Sequence, residues 1–362
     1  MQASGAAPPT IYDVANRAGV SIATVSRVLN GSAAARPATY EQVMTAVREL
    51  RFVPNSSARG LSQGLKKVVG VVFAGPPATD HLLSIEEESL LFVDAVIRGA
   101  EGQAQQLGFS LLLSGAGAET GPQAVAALTG NVDGLVVLDQ VLPARRVAEL
   151  AKRIPLVLLA GSGRTRSAYT VRVDNEAAMH EVAAHLVTVH GFTRLAFVSG
   201  RSASPDSTIR ARTLTQTAER LGATVEPLEP WRADWTSGGA VRVTRARLAS
   251  GDPLPDAIVA ANDQMAIGVM HALAGAGRHV PDDVAVVGFD DISLARHLSP
   301  SLTSVRQPSR QLGALAVEIL VDVIERRFPP SRDMVLPTQL KVRSSCGCAS
   351  TDSPADVIDL EI

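Results

Sequence analysis

Two hydrophobic periods divide this chain. Between Thr10 and Leu50 the apolar residues recur at helical spacing in three short sets: Val14, Ala15 and Ala18; Val25, Val28 and Leu29; Val43, Val47 and Leu50. From Val68 onward the pattern changes to short continuous apolar runs separated by helical segments. Parallel strands covered on both faces read this way.

The first region carries helix punctuation. Thr10 is a good N-cap, and Asp13 suits the positive first turn. A helix over Ile11 to Ala18 then stops at Gly19, which accepts the left-handed conformation. Ser21 caps a second helix, Ile22 to Asn30, and Pro37 fits the first turn of a third. The outer face of the second helix shows Ile22, Ala23, Ser26, Arg27 and Asn30. A core needs none of these. A DNA major groove uses a cation, small polar groups and apolar tips that meet thymine methyls. The pair is therefore expected to be a helix-turn-helix, although an ordinary helical hairpin shares the spacing.

After the polar link SQGLKK (62–67), strand and helix alternate twice. The first round holds VVGVVFA (68–74), a helix near 90–107, FSLLLS (109–114), VDGLVVLD (132–139) and PLVLLAG (155–161). The second holds RLAFVSG (194–200), a helix near 209–221, a strand near Ala223, PDAIVAAN (255–262) and DVAVVGFDD (283–291). Both of these helices end in Leu-Gly, at Leu107-Gly108 and Leu221-Gly222. This weak internal repeat predicts two doubly wound α/β units. LTSVRQP (302–308) then leads to a helix over 310–326.

IYDVANRAGVSIATVSRVLNG followed by FVPNSSARGL resembles the DNA-binding head and hinge of the LacI/GalR family of bacterial transcription regulators. NDQMAIG (262–268), VVGFDD (286–291) and LTSVRQP are similar to its effector-binding core. The match covers nearly the whole chain, and the order and spacing of the motifs are more specific than any one of them. The resemblance implies an α/β protein. An N-terminal all-α head and hinge would join a periplasmic-binding-protein-like core of two lobes, three crossovers and a ligand cleft between the lobes. The expected divisions are a leader (1–9), the head (10–54), a hinge helix and linker (55–67), the core (68–348) and a tail (349–362). Lobe one would hold about 68–174 and 307–335, and lobe two about 175–306 and 336–348. The tail lacks the heptads of tetrameric members and contains Pro354, so a homodimer is expected.

The resemblance also implies site residues. In the head, Thr10, Ser21, Ile22, Ala23, Ser26, Arg27, Asn30 and Thr39 would contact operator DNA. In the hinge, Asn55, Ala58 and Leu61 would do so, with 55–62 folding as a helix on DNA and Leu61 wedging into the minor groove. In the core, Asn262 and Asp290 follow strand ends, where ligands of open α/β sheets bind. Helix capping is the competing role for one member of each of the pairs Asn262-Asp263 and Asp290-Asp291. Arg210, twelve residues before Gly222, stands where the family places an effector-binding Arg. Thr213 and Leu214 replace the Gly and aromatic that often follow it, and Arg212 is close enough to leave the choice open. Trp235 matches a ligand-stacking aromatic and Gln307 a position near the lobe crossover. Leu159 stands where some sugar-binding members keep an Asp, which leaves the identity of a sugar open.

Composition supports this picture. Among 362 residues, 46% are hydrophobic, enough for a substantial core, and the net charge is −2. The charge is uneven: residues 1–67 hold eight basic and three acidic side chains, net +5, leaving −7 for the rest. A basic head on an acidic body suits DNA binding at one end only. The N-terminus carries no signal-peptide pattern, and no apolar run spans a bilayer, so a cytoplasmic protein without membrane contact is expected.

Cys346 and Cys348 read as free thiols, because no His or Cys follows to complete a metal site. The seven His form no metal-spaced set, since His185 and His190 are five apart and His180 lies off their face. A G-x-S-x-G elbow, a Rossmann fingerprint and a P-loop are all absent, so neither a cofactor nor catalysis is expected. The resulting reading is a transcriptional regulator, a repressor, whose operator affinity is set by a small effector, a sugar or sugar derivative. A sugar-binding or transport protein built on the same lobes is the alternative.

Overall fold

The computed structural model describes residues 9–29, 36–52, 65–74, 91–116, 120–138, 141–161, 167–201 and 204–350. The chain divides into two compact units, Met1–Lys67 and Val68–Ile362.

The first unit is helical: α1 (Ile11–Ala18), α2 (Ile22–Leu29) and α3 (Pro37–Leu50). Thr10 and Asp13 form a reciprocal capping box, with Thr10 N–H donating to Asp13 Oδ2 at 2.7 Å. Gly19 ends α1 at φ 66°, a left-handed turn that a side chain would resist. Ser21 Oγ accepts from Thr24 N–H at 3.2 Å and so caps α2. Val14, Ala15, Val25, Val28, Val43 and Ala46 form the small shared core. The helical periods of the sequence point inward as expected.

The second unit holds two six-stranded sheets. Sheet one runs in the order β11-β5-β4-β3-β1-β2, from β1 (Val68–Ala74), β2 (Ser110–Ala116), β3 (Gly134–Leu138), β4 (Leu156–Leu159), β5 (Tyr169–Val173) and β11 (Asp333–Leu336), all parallel. Its helices are α4 (Leu91–Gln106), α5 (Gly121–Thr129), α6 (Ala144–Leu150) and α11 (Ser309–Ile324). Helices α4 and α11 touch backbone to backbone. A Cβ on Gly99 would stand 1.9 Å from the Arg310 carbonyl oxygen, and one on Gly313 would stand 1.9 Å from that of Val96.

Sheet two runs β12-β10-β9-β8-β6-β7, from β6 (Arg194–Val198), β7 (Thr224–Val225), β8 (Ala257–Ala260), β9 (Ala285–Asp290), β10 (Thr303–Arg306) and β12 (Gln339–Lys341). Only β12 is antiparallel. Helices α7 (Asn175–Ala184), α8 (Pro205–Arg220), α9 (Ser237–Ala249) and α10 (Asp263–Gly275) belong to this part of the chain. Strands β6, β8 and β9 are buried along nearly their whole length, which is why their sequences are continuous apolar runs. The chain passes between sheets three times: from β5 into α7, from β10 through Gln307-Pro308 into α11, and from β11 to β12. Among the described residues, no helix is long and apolar enough to cross a membrane.

Candidate functional site

Parallel strands present their carboxyl ends on one side of a sheet, and five sequence-selected residues meet at that side of sheet two. Asp290 closes β9, Asn262 follows β8, Gln307 follows β10, Arg210 comes from α8 and Trp235 from the loop before α9. Gln307 Nε2 donates to Asp290 Oδ1 at 2.5 Å. Arg210 donates from Nε to Asn175 Oδ1 at 2.7 Å and from Nη1 to the Ala261 carbonyl at 2.6 Å. Its guanidinium carbon lies 3.4 Å from the centre of the Phe289 ring, a cation–π contact. Asn262 Nδ2 donates to the Trp235 carbonyl at 3.1 Å. The Trp235 indole covers Gly200 at the end of β6, so closely that a Cβ there would stand 2.3 Å from the ring.

The backbone is strained at the same place. Trp235, Asp290 and Asp291 take φ of 78°, 122° and 52°, where side chains are disfavoured. Such residues persist when their surroundings over-determine them, and they gather at binding sites.

Burial shapes the electrostatics. Asp290 is pushed up to about 7 by burial, against the pull of Arg210 and the Gln307 hydrogen bond. Asp263 is held well above the ordinary carboxylate range by burial and by repulsion from Asp290. Arg210 is lowered by burial and supported by the charges of Asp206, Asp290 and Asp263. The cluster offers paired acceptors, amide donors, a cation and an indole face.

Of the two capping pairs, one behaves as expected and one does not. The cap of α10 is Asn262, whose Oδ1 accepts from Met265 N–H at 2.9 Å. Asp263 instead accepts from Ile292 N–H and from Ser304 Oγ, at 2.9 and 2.6 Å. Asp291 caps nothing. Its carboxylate is fully buried between Arg306 and Arg343, each at 2.6 Å. Arg212 lies apart from the cluster, paired with Glu176 at 2.7 Å on a surface groove shared with His180, Gln216 and Arg220. Leu159 is buried at the end of β4. Sequence reasoning missed Asn175, whose amide also donates to Asp206 at 2.9 Å, because an Asn opening a helix reads as a capping residue.

On the head, Ile22, Ala23 and Arg27 are exposed along α2 while Val25 and Val28 are buried. Thr10 and Ser21 are also exposed, and Ser26 and Thr39 are half-buried. Arg27 Nε donates to the Ala23 carbonyl at 3.3 Å. Asn30, Asn55, Ala58 and Leu61, with the rest of the expected hinge, lie outside the described residues.

The spacing argument that separated the His and Cys residues does not hold in the fold. His185, His190, Cys346 and Cys348 bring their ligand atoms within 4.8 Å of one another. The five-residue spacing misled because His185–Val189 is a π-turn, which places positions i and i+5 together where an α-helix would separate them. The legible signal was His-x4-His itself, a spacing that zinc sites use. The partners of the Cys pair precede it by some 160 residues.

Comparisons with known proteins agree with the architecture. Residues 10–55 match the model for bacterial regulatory proteins of the lacI family, and residues 183–346 match the periplasmic binding protein-like domain. Catabolite control protein A of Priestia megaterium is 31% identical over 93% of this chain and 98% of its own length. The transcriptional repressor PurR of Vibrio cholerae is 31% identical over 87% and 91%. Among solved structures, the lac repressor dimer bound to operator and the anti-inducer ONPF superposes with a TM-score of 0.79 at 28% identity, covering 94% of this chain and 99% of that one. A complex of the regulator CelR with cellobiose gives 0.65 at 30% identity, covering 93% and 99%. A helical head with an exposed polar stripe, a two-sheet core with three crossovers and full-length relatives at this identity lead to one assignment: the chain belongs to the lacI family of bacterial regulatory proteins and is a transcriptional regulator, not an enzyme.

Proposed function

We propose that this protein is a homodimeric repressor that binds operator DNA through α2 and releases or tightens it in response to a carbohydrate bound at the carboxyl end of sheet two. The convergence of Arg210, Trp235, Asn262, Asp290 and Gln307 carries the effector reading. Neighbouring sugar hydroxyls both donate and accept, so they suit a carboxylate flanked by amides and a guanidinium, and an indole gives their apolar face a surface. The structural likeness to a regulator solved with cellobiose supports that ligand class. Asn262 keeps a second amide hydrogen for ligand beyond the one given to Trp235.

In the head, Ile22 and Ala23 face base edges, Ser21, Ser26, Arg27, Asn30 and Thr39 meet phosphates or bases, and Thr10 stands at the start of α1. Asn55, Ala58 and Leu61 form a hinge that orders over the minor groove, with Leu61 as the wedge. Gln307 leads from the effector residues into the crossover to α11, so closure around a ligand reorients one sheet against the other and resets the spacing of the two hinges. Such coupling is typically ~1–3 kcal/mol.

A gel shift with the DNA upstream of the protein's own gene, run with and without a panel of mono- and disaccharides, tests the proposal. The expected result is a discrete complex whose midpoint moves about fivefold or more with one sugar class. Sugar binding without any DNA complex would favour a carbohydrate receptor instead.

A further inference from the structure

A second cluster lies at the opposite end of sheet two. His185 opens and His190 follows the π-turn that precedes β6, and Cys346 and Cys348 follow β12. Thr303, which opens β10, places its hydroxyl 3.2 Å from Cys346 Sγ. These are the amino-terminal ends of β6 and β10, away from Asp290 and Gln307.

The separations have the form of a coordination shell. Nε2 of His190 and Nε2 of His185 are 3.2 Å apart. Cys346 Sγ lies 3.4 Å from His185 Nε2, and Cys348 Sγ lies 3.3 Å from His190 Nε2 and 3.9 Å from His185 Nε2. Tetrahedral bonds of about 2.0 Å to nitrogen and 2.3 Å to sulfur place nitrogens ~3.3 Å apart and nitrogen and sulfur ~3.6 Å apart. A hydrogen-bonded pair fixes one line. Four lone-pair atoms that all lie within 4.8 Å of one another fit a cation.

The local structure is built to hold them there. Gly347 at φ 97° turns the chain so that both Cys side chains face the histidines. The His190 ring stacks on Phe192 at 5.1 Å and 15° and meets His185 edge-on at 4.9 Å. Cys346 is buried, and the other three are half-buried.

We propose that His185, His190, Cys346 and Cys348 bind one zinc ion as a closed structural site. A two-imidazole, two-thiolate tetrahedron selects zinc among common divalent ions, and four protein ligands leave no open position for chemistry. The ion joins the segment after β12 to the turn before β6, locking the chain's last described turn onto sheet two. Binding releases the two thiol protons to solvent as the thiolates form.

The full chain, stripped by chelation under reducing conditions and loaded with cobalt(II), is the test. One cobalt per chain is expected, with thiolate-to-metal charge-transfer absorption that zinc abolishes by displacement. Cys348→Ser should weaken that band and His190→Ala should raise the cobalt concentration needed to develop it, while His279→Ala changes neither. Independently of any variant, alkylation of the wild-type thiols, of which the chain has only two, should slow roughly tenfold or more with one equivalent of zinc and recover on chelation. A wild-type cobalt spectrum without thiolate charge transfer, or thiols that react equally with and without zinc, overturns the proposal.

Discussion

Gln307 donates its amide to Asp290 at 2.5 Å, and the bond ties the carboxyl end of β10 to that of β9. Asp290 is a candidate effector residue, and Gln307 is the first residue of the crossover into α11. One hydrogen bond therefore joins the place where a ligand would sit to the segment that must move if the two sheets change angle. The carboxylate is also poised between protonation states, since burial raises it to about 7.

This raised carboxyl gives a pH dependence with a definite sign. An aspartate whose folded value lies above its unfolded ~3.9 binds more protons folded than unfolded across that interval. Its stabilisation is fully present below about pH 4 and is lost as pH rises through about 7. Asp263, shifted the same way, adds to the slope. Asp290→Asn keeps an acceptor for Gln307 and removes both the ionisation and its repulsion of Asp263. Urea denaturation should show the variant more stable than wild type at pH 8 and little different at pH 4. An unchanged pH slope would mean that Asp290 is ionised throughout.

The chain has two tryptophans in different environments. Trp231 is fully buried and donates to Glu226 Oε2 at 2.9 Å, whereas Trp235 is half-buried over Gly200. Effector binding should therefore alter emission from Trp235 alone. Trp235→Phe is expected to abolish the fluorescence response, and Trp231→Phe to preserve it. Gly200→Ala forces the Trp235 ring aside and should weaken effector binding about tenfold or more while leaving far-UV circular dichroism unchanged. A response that survives Trp235→Phe would remove the indole from the site.

The side chains of Asp291 and Arg343 are both fully buried and paired at 2.6 Å. Removing one of the two arginines leaves the carboxylate under-compensated, whereas replacing both Asp291 and Arg343 removes the desolvation cost as well. Arg343→Met leaves the Asp291 carboxylate with Arg306 as its remaining cation and should cost about 1–3 kcal/mol of stability. Asp291→Asn combined with Arg343→Met should cost less than Arg343→Met alone, because no under-compensated carboxylate is then left buried and Arg306, which is part-exposed, can turn to solvent. Additive losses in a thermal-melt double-mutant cycle would show that the pair is not coupled.

How far the sequence foretold this depended on which force set each element. The head was legible because capping, a terminal glycine and helical period agree there: α1 has the expected bounds. Strands β6, β8 and β9 were legible because both faces are buried. Strand β10 was not read as a strand, since Thr303 and Ser304 look like loop residues. They are fully buried, and their hydroxyls are satisfied by the Arg343 carbonyl and Asp263, contacts that the sequence does not show. Strands β5, β11 and β12 are short and part-exposed, and β11 and β12 find their partners only after the chain has crossed between sheets. The candidate effector residues were named from family resemblance. The capping role of Asn262 and the buried pairing of Asp291 depend on partners far along the chain. The His–Cys cluster was hidden by assuming α-helical geometry for His185–His190.

The exposed face of α2 carries a final prediction. Ile22 is 40% exposed on a helix whose other face fills the head core, and Ala23 follows it at the amino-terminal end. Both present only apolar atoms, so in a major groove they favour thymine methyls over donor–acceptor patterns. Arg27 stands one turn further on the same face, and its bond to the Ala23 carbonyl holds the guanidinium near those residues. A planar guanidinium there suits guanine O6 and N7. Exchanging Ile22 and Ala23 for polar residues should shift the preferred half-site, with mismatch effects on the order of 1–3 kcal/mol per base pair. Arg27→Gln should weaken operator binding more than binding to random DNA, because base contacts specify while phosphate contacts only position. Fluorescence anisotropy on operator and random duplexes at two salt concentrations separates these outcomes. Should Arg27→Gln lose equally on both duplexes and lower the salt slope by about one, Arg27 is a phosphate contact. Should the Ile22/Ala23 exchange leave half-site preference unaltered, α2 is not the helix that reads the bases.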